Sequence, residues 1–320
     1  MPPYSPTFDF IIRLSNTFVS YFFILSGFVM VIAYYNIEKK TVSAFDFYWN
    51  RLVRIYPVYI LALVLMMGYL WISYHQFILR DSILSFLLLQ AWWPETPLVI
   101  NGAGWSLSVE WFFYLIFPIL LNQIYYRFNI QFVILGCLSY WIFNQIGFIL
   151  YMNSGFYSSS YDLFFYFSPL CHLNEFILGN GAGLIFVCYL KEKKGAFDFW
   201  IILLGISILY LLYDPIPGCY MNGFLGFVFV PFILVLSMNN GFITRLFKIK
   251  WLVILGEASF AIYILQSPVY RGVEIFLNKY HPTPFVLFHV FLGMLVLISV
   301  LLNQWIEQPI ISKLKRKNIR

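Results

Sequence analysis

The chain places a carboxylate and two hydroxyls at the beginning of a strongly apolar run. Residues 104–110 read Gly-Trp-Ser-Leu-Ser-Val-Glu and lead directly into an aromatic stretch. In one interpretation Ser106 or Ser108 caps a helix and Glu110 lies in its first turn. In the other, Glu110 is a general base or orients a substrate hydroxyl, with Trp105 and Ser106 beside it. The local pattern leaves both interpretations open.

Two arginines three residues apart form a second candidate site. Arg51 and Arg54 would share one face of a helix. Two guanidinium groups on one face suit a phosphate, or the phosphates of a nucleotide-like carrier. Basic residues beside apolar runs more commonly anchor a membrane protein by snorkelling to the interface. The spacing alone favours the anchor.

A histidine and a glutamate three residues apart form the third candidate. His172 and Glu175 would share a helix face, and so would Gly179 and Gly183. The ionisable pair is either a contact that holds helices together or part of a site. The glycines favour close approach of a neighbouring helix over binding of a ligand.

The composition indicates that a membrane surrounds the elements that carry these residues. The chain is 61% hydrophobic, 22% aromatic and 11% charged, with a mean hydropathy of +0.79, whereas soluble domains carry about 25% charged residues. The basic residues behind the net charge of +6 lie in short segments between apolar runs, which argues against nucleic-acid binding. The four cysteines have no spacing typical of a metal site, and we expect buried free thiols.

Nine apolar runs are long enough to cross a bilayer. They cover residues 17–35, 56–74, 110–127, 130–150, 172–190, 198–213, 220–238, 252–270 and 285–305. A tenth run, 83–93, is short and precedes a proline, so we expect it to be re-entrant or interfacial. With nine spans, 16 of the 20 Lys and Arg residues fall on one side, which is therefore cytoplasmic. The sequence predicts an all-α integral membrane protein, a polytopic bundle of about nine or ten transmembrane helices with one re-entrant segment.

Six motifs in order resemble those of one family. They are Tyr-Phe-Phe-Ile-Leu-Ser-Gly-Phe at 21–28, Arg-x-x-Arg-Ile-Tyr-Pro at 51–57, Trp-Ser-Leu-Ser-Val-Glu at 105–110, Glu-Phe-x-x-Gly at 175–179, Leu-Gly-Glu-Ala-Ser-Phe-Ala-Ile-Tyr at 255–263 and Glu-Gln-Pro at 307–309. The chain resembles the membrane-bound acyltransferase family 3, the sugar and peptidoglycan O-acetyltransferases. The resemblance predicts one transmembrane domain over residues 1–312 and a basic cytoplasmic tail over 313–320.

The resemblance implies an enzyme that moves an acyl group, expected to be acetyl from acetyl-CoA, to a carbohydrate hydroxyl of a cell-surface glycan or its precursor. Arg51 and Arg54 would bind the CoA donor on the cytoplasmic side. The residues expected at the catalytic centre are Trp105, Ser106, Glu110, His172 and Glu175. Residues 105–110 would lie near the outer side, and a through-membrane site would connect them to the arginines.

The same resemblance sets the expected partners and location. They are acyl-CoA, a carbohydrate or glycolipid acceptor and the lipid bilayer. No permanently bound cofactor, metal or nucleic acid is expected. The predicted location is the plasma or inner membrane, which the chain crosses several times.

The chain departs from the family pattern in three places. Members usually begin with one more helix, which carries an arginine and a histidine thought to be the catalytic base, so we expect this chain to be N-terminally truncated. Gln266 stands where the family usually has a histidine, and His172 where it has an arginine. Two alternatives stay open. One is an inactive truncated homologue, and the other is a transporter or flippase for a lipid-linked sugar, in which internal repeats are usual.

Overall fold

The computed structural model describes residues 6–38, 41–75, 78–154, 159–213 and 222–316. Within these ranges the regular structure is helical, apart from an isolated bridge between Gly195 and Asn239. The helices are α1 (Pro6–Tyr34), α2 (Ala44–Tyr74), α3 (Leu79–Phe86), α4 (Gly104–Leu120), α5 (Ile130–Met152), α6 (Ser159–Phe167), α7 (Pro169–Ile185), α8 (Asp198–Tyr213), α9 (Gly226–Met238), α10 (Phe242–Phe247), α11 (Lys250–Glu257), α12 (Ser259–Asn278), α13 (Pro284–Leu302) and α14 (Gln308–Leu314). Single π-helical turns follow α4, α7 and α13, and they cover Leu121–Tyr125, Phe186–Leu190 and Asn303–Glu307.

The prediction of an all-α polytopic membrane protein is confirmed. Among the described residues, six helices are long and apolar enough to cross a membrane, and up to seven if α11 and α12 form one bent span. Two further predicted runs form α8 and α9, which are apolar but shorter. By helix length and apolarity, the described residues therefore contain six or seven spans, whereas the sequence predicted nine. The apolar composition of a segment predicts that it is a helix, but it does not show where that helix bends or ends.

Residues 83–93 do not form a spanning helix. α3 ends at Phe86, and a 3-10 turn follows at Gln90–Trp92. Between them the Ser108 hydroxyl donates to the Leu88 carbonyl at 2.6 Å and accepts from the Ala91 amide at 3.3 Å. These two bonds satisfy backbone groups of the non-helical turn within the protein, and whether the segment is re-entrant stays a prediction.

α2 and α4 begin earlier than the apolar runs predicted. α2 starts at Ala44 rather than residue 56, and α4 starts at Gly104 rather than residue 110. Arg51 therefore lies within α2, on a helix as its spacing from Arg54 predicted, but ahead of the apolar run. Ser106 lies within α4, so its predicted role as a helix cap is wrong. Hydropathy misses these turns because they contain polar side chains, several of which, such as Asn50, Arg51 and Glu110, are buried within the protein.

The chain divides into two compact units. The first comprises Met1–Val42 with Leu115–Leu246, and the second comprises Ser43–Tyr114 with Phe247–Arg320. The core of the first unit contains Ile24, Phe28, Leu178, Ala182, Phe186, Leu212, Leu225, Phe229 and Ile233. A smaller apolar cluster in the second unit contains Leu63, Met66 and Ile100.

In the first unit α1 and α7 pack with their backbones almost in contact. A Cβ atom added to Gly179 would lie 2.0 Å from the Ile24 carbonyl oxygen, and one added to Gly27 would lie 2.2 Å from the Phe176 carbonyl oxygen. An added Cβ at Gly183 would meet the Val31 side chain at 2.7 Å. The predicted close approach at Gly179 and Gly183 is confirmed.

In the second unit α11 and α12 meet at a bend of 61°. The bend exposes backbone groups that a straight helix would satisfy. The Asn303 side chain donates to the Glu257 carbonyl at 3.0 Å and to Glu307 Oε2 at 3.1 Å. The π-helical turn after α13 therefore stabilises the broken helix.

The described part of the predicted tail returns to the beginning of α2. Arg316 donates to Asp46 Oδ1 at 3.1 Å, and its amide donates to Asn50 Oδ1 at 2.9 Å. The Trp49 indole donates to the Leu314 carbonyl at 2.9 Å. Residues 313 and 314 still belong to α14, and residues 317–320 lie outside the described residues.

Candidate active site

Glu110 lies one helical turn from Tyr114 in α4. The Tyr114 hydroxyl donates a hydrogen bond to Glu110 Oε1, and both side chains are buried, with 8% of Glu110 exposed. Burial of a carboxylate is costly unless hydrogen bonds replace the lost water. The spacing of four residues on one helix face brings the phenol to the carboxylate.

Arg51 lies against the ring of the same tyrosine. Its guanidinium carbon is 5.3 Å from the ring centroid of Tyr114 and 5.5 Å from that of Phe47, and the side chain is buried. Arg54 is exposed and lies within electrostatic range of Tyr114 and Glu307. The two arginines thus differ: Arg51 is packed inside the protein, and Arg54 is open to a ligand. The interpretation of the arginines as snorkelling membrane anchors therefore fits Arg54 and does not fit Arg51.

Trp105 and Ser106 lie about one turn before Glu110, and both are buried. Ser106 Oγ is 2.7 Å from the Tyr263 hydroxyl of α12 and donates to the Ala103 carbonyl at 3.2 Å. Tyr263 lies within electrostatic range of Glu110. A second tyrosine therefore connects the serine to the surroundings of the carboxylate.

The second unit contains a line of polar and aromatic groups along α4. In order, the line consists of Ser106, Tyr263, Glu110, Tyr114 and Arg51. The sequence placed residues 105–110 across the membrane from the arginines, and the structure corrects this separation, because one tyrosine contacts both Glu110 and Arg51. The physical reason is the early start of α2. Because this helix begins at Ala44, Arg51 lies in its third turn and not at its first residues.

His172 and Glu175 form their predicted pair in the first unit. His172 Nδ1 is 2.8 Å from Glu175 Oε2, and Nε2 is 2.8 Å from the Tyr166 carbonyl oxygen. The Ser20 hydroxyl donates to Glu175 Oε1. Because a carbonyl oxygen only accepts, Nε2 is the donor in its contact with Tyr166. The bond from Ser20 ties the pair to α1, and the bond to Tyr166 ties it to α6, which suits a contact that holds helices together. The catalytic assignment of the pair stays a prediction.

Three contact residues were absent from the predicted site. Tyr114 follows Glu110 by four residues, and this spacing on a predicted helix could have identified it. Tyr263 bonds to Ser106 across 157 positions, and Ser20 bonds to Glu175 across 155. No local pattern indicates those contacts.

Together, the fold and this line of groups define a multi-pass helical membrane protein with a buried polar site. A family model described as an acyltransferase domain matches residues 2–304. The chain therefore belongs to this acyltransferase family, and its predicted membership of acyltransferase family 3 is confirmed.

Two curated relatives are similar to this chain, one over most of its length and the other over about a third. O-acetyltransferase OatA of Staphylococcus aureus is 23% identical over 330 residues, which cover 92% of this chain and 52% of that protein. Acyltransferase MdmB of Streptomyces mycarofaciens is 35% identical over 118 residues, which cover 34% of this chain and 29% of that protein. The chain spans about half the length of the OatA relatives it matches. No solved structure matches the chain.

Proposed function

We propose that this chain is a membrane O-acyltransferase that moves an acetyl group from acetyl-CoA to a hydroxyl of a carbohydrate. The observation that carries the proposal is the line from Arg51 through Tyr114 to Glu110. It combines a cation suited to a phosphate-bearing donor with a carboxylate suited to an acceptor hydroxyl. Family membership and the name of the OatA relative support acyl transfer to oxygen.

The donor end of the proposed site contains the arginines. Arg54 is exposed and meets the CoA phosphates first, because CoA is highly charged and arrives from the predicted cytoplasmic side. Arg51 is held between two aromatic rings, which fixes its direction before the donor binds. A guanidinium fixed in advance loses little entropy when it binds a phosphate.

The acceptor end contains Glu110. The acceptor oxygen attacks the thioester carbonyl carbon, a new carbon–oxygen bond forms, and the carbon–sulfur bond breaks. Glu110 takes the proton of the hydroxyl and returns it to the departing thiolate of CoA, so the reaction leaves an ester and a thiol. The Tyr114 hydroxyl stabilises the charged carboxylate before it takes the proton and again after it has returned it.

The acceptor belongs to a cell-surface glycan or its lipid-linked precursor, reached from the outer face of a plasma or inner membrane. The predicted orientation supports this assignment, because Ser106 lies toward the outer end of α4 and Tyr114 toward its cytoplasmic end. The donor and the acceptor then approach the same line of groups from opposite sides.

The experiment compares two arginine substitutions in the full chain, reconstituted in lipid nanodiscs. Release of CoA thiol from acetyl-CoA is followed with diacetylchitobiose as acceptor. Arg51→Ala removes charge-assisted contacts and raises the KM for acetyl-CoA about tenfold or more. Arg127→Ala removes an exposed arginine outside the proposed site and leaves the KM unchanged. Equal KM values in both variants would contradict the donor assignment.

A further inference from the structure

A cavity opens in the second unit near the end of α2 that carries Tyr74. Its volume is about 500 Å³, within the range of small-molecule sites. The residues that give it chemical character are Tyr69, Tyr74, Gln266, Ser267, Tyr270 and Arg271. None of them belongs to the line of groups from Ser106 to Arg51, so the cavity needs an account of its own.

Aromatic rings line this cavity from two directions. The rings of Tyr69 and Tyr74 meet edge to face, with centroids 6.1 Å apart and an angle of 82°. Tyr270 of α12 meets Phe291 of α13 in the same way, with centroids 5.6 Å apart. Such edge-to-face pairs fix the rings and leave ring faces for a ligand.

Arg271 lines the cavity, and its guanidinium is held by an ion pair with Glu274 and by two tyrosine rings. Arg271 Nη1 donates to Glu274 Oε2 at 2.8 Å, and the guanidinium carbon lies 5.5 Å from the Tyr69 centroid and 5.6 Å from the Tyr270 centroid. Its side chain is 41% exposed. A guanidinium has five N–H donors, so this contact leaves others that can reach a ligand. The nearby carboxylate cancels the charge and disfavours an anionic ligand.

We propose that this cavity is the acceptor subsite and that it binds a neutral pyranose. A pyranose presents C–H groups on its ring faces and hydroxyls around its edge. The rings of Tyr69 and Tyr270 suit the C–H groups of a sugar ring face. The hydrogen-bonding groups of Gln266, Ser267 and Arg271 suit the hydroxyls around its edge. A lipid acyl chain would leave these polar groups without hydrogen bonds, at a cost in free energy.

The position of the cavity connects it to the proposed chemistry. Gln266 lies three residues after Tyr263 on α12, and Tyr263 contacts Ser106 at 2.7 Å. On the other side, Asn101 donates to the Ile264 carbonyl at 2.9 Å and so ties the cavity loop to α12. A sugar bound in the cavity would point one hydroxyl along this path toward Glu110. The inference therefore rests on the proposed acetyl transfer.

Binding is measured without donor, so that a failure of the subsite can be told from a failure of the reaction. The full chain in nanodiscs free of glycoside detergent is titrated with methyl glucoside, diacetylchitobiose and a glucose phosphate, with saturation-transfer NMR as readout. Tyr69→Ala and Gln266→Ala each raise the Kd of the neutral sugars about tenfold. Tyr280→Ala, at a tyrosine that is 63% exposed and does not line the cavity, leaves the Kd unchanged.

Each outcome decides one claim. Sugar binding that is weakened by both cavity variants supports the subsite, even if no acetyl is transferred, in which case only the proposed function fails. Acetyl transfer without sugar binding, or an equal Kd in parent, Tyr69→Ala and Gln266→Ala, overturns the subsite alone. Tighter binding of the glucose phosphate than of methyl glucoside overturns the neutral ligand.

Discussion

Tyr114 contacts both charged groups of the proposed site. Its hydroxyl donates to Glu110, and its ring centroid lies 5.3 Å from the Arg51 guanidinium carbon. A hydrogen bond stabilises the buried carboxylate, and the face of the ring stabilises the buried cation. The two contacts use different parts of one side chain, so substitutions at residue 114 can separate them.

Tyr114→Phe removes the hydroxyl and keeps the ring. We expect kcat for acetyl transfer to fall at least tenfold, because the Tyr114 hydroxyl fixes the direction of the Glu110 carboxylate and a hydrogen bond to a charged group contributes about 1.5–3 kcal/mol. The KM for acetyl-CoA stays at the parent value, since the ring beside Arg51 is retained. Tyr114→Leu removes both contacts and raises the KM as well. Steady-state kinetics of the two variants tests this, and an unchanged kcat in Tyr114→Phe would contradict it.

The residues of the site differ in how far the sequence reveals them. Arg51 and Glu110 could be proposed from type and spacing, and Tyr114 follows from the helical period. Tyr263 could not be identified in this way, because its bond to Ser106 joins positions 157 residues apart. Only tertiary packing brings such groups together.

The helices of the first unit depend on backbone contact between α1 and α7. Gly179 faces the Ile24 carbonyl so closely that no Cβ fits without movement of the backbone. Membrane helices gain little from the hydrophobic effect when they pair, so they rely on such close packing. The contact also brings Ser20 to Glu175, which aligns the polar pair of α7.

Gly179→Leu separates α1 from α7. We expect a loss of at least about 1–3 kcal/mol in the free energy of unfolding, the cost of overpacking, because the obstructing atom is backbone and cannot rotate away. Gly136→Leu on α5 is the matched control, since an added Cβ there meets nothing within 4 Å. Denaturation in detergent micelles measures both variants. Equal stability would show that the close approach is not required.

Asn303→Ala removes the side chain that stabilises the bend between α11 and α12. The Glu257 carbonyl and Glu307 then each lose a hydrogen bond, and we expect a destabilisation of about 1–3 kcal/mol. Gln304→Ala, at the exposed neighbour, should change the free energy of unfolding by less than about 0.5 kcal/mol. Thermal unfolding compares them, and the prediction is wrong if both shift the Tm equally.

The sequence predicted the positions of the helices better than the residues at which they begin or bend. Apolar runs indicated every helix that could span the membrane, because lipid-facing surfaces must be apolar. The bend after Glu257 has no local proline, and its stabilising partner Asn303 lies 46 residues away. The early starts of α2 and α4 were missed for a related reason. Polar side chains such as Arg51 and Glu110 are buried in the protein, and a hydropathy pattern cannot distinguish that from exposure to water.

As a whole molecule, the chain contains two units, each with its own buried polar cluster. In the first unit the ring nitrogens of His172 contact the Glu175 carboxylate and the Tyr166 carbonyl oxygen. In the second unit Glu110 lies on a line that begins at Arg51, and the same unit contains a cavity lined by tyrosines. The groups that we assign to acetyl transfer lie in the second unit, and the catalytic role of His172 and Glu175 stays a prediction.

The rate of acetyl transfer from labelled acetyl-CoA by Glu110→Gln tests this account most directly. The amide keeps the size of the side chain and loses the capacity to take a proton, so we expect the rate to fall about a hundredfold or more, while acetyl-CoA still binds. Glu95→Gln, at an exposed glutamate, keeps the parent rate. A Glu110→Gln protein that folds, binds acetyl-CoA and transfers acetyl at the parent rate would contradict the central claim.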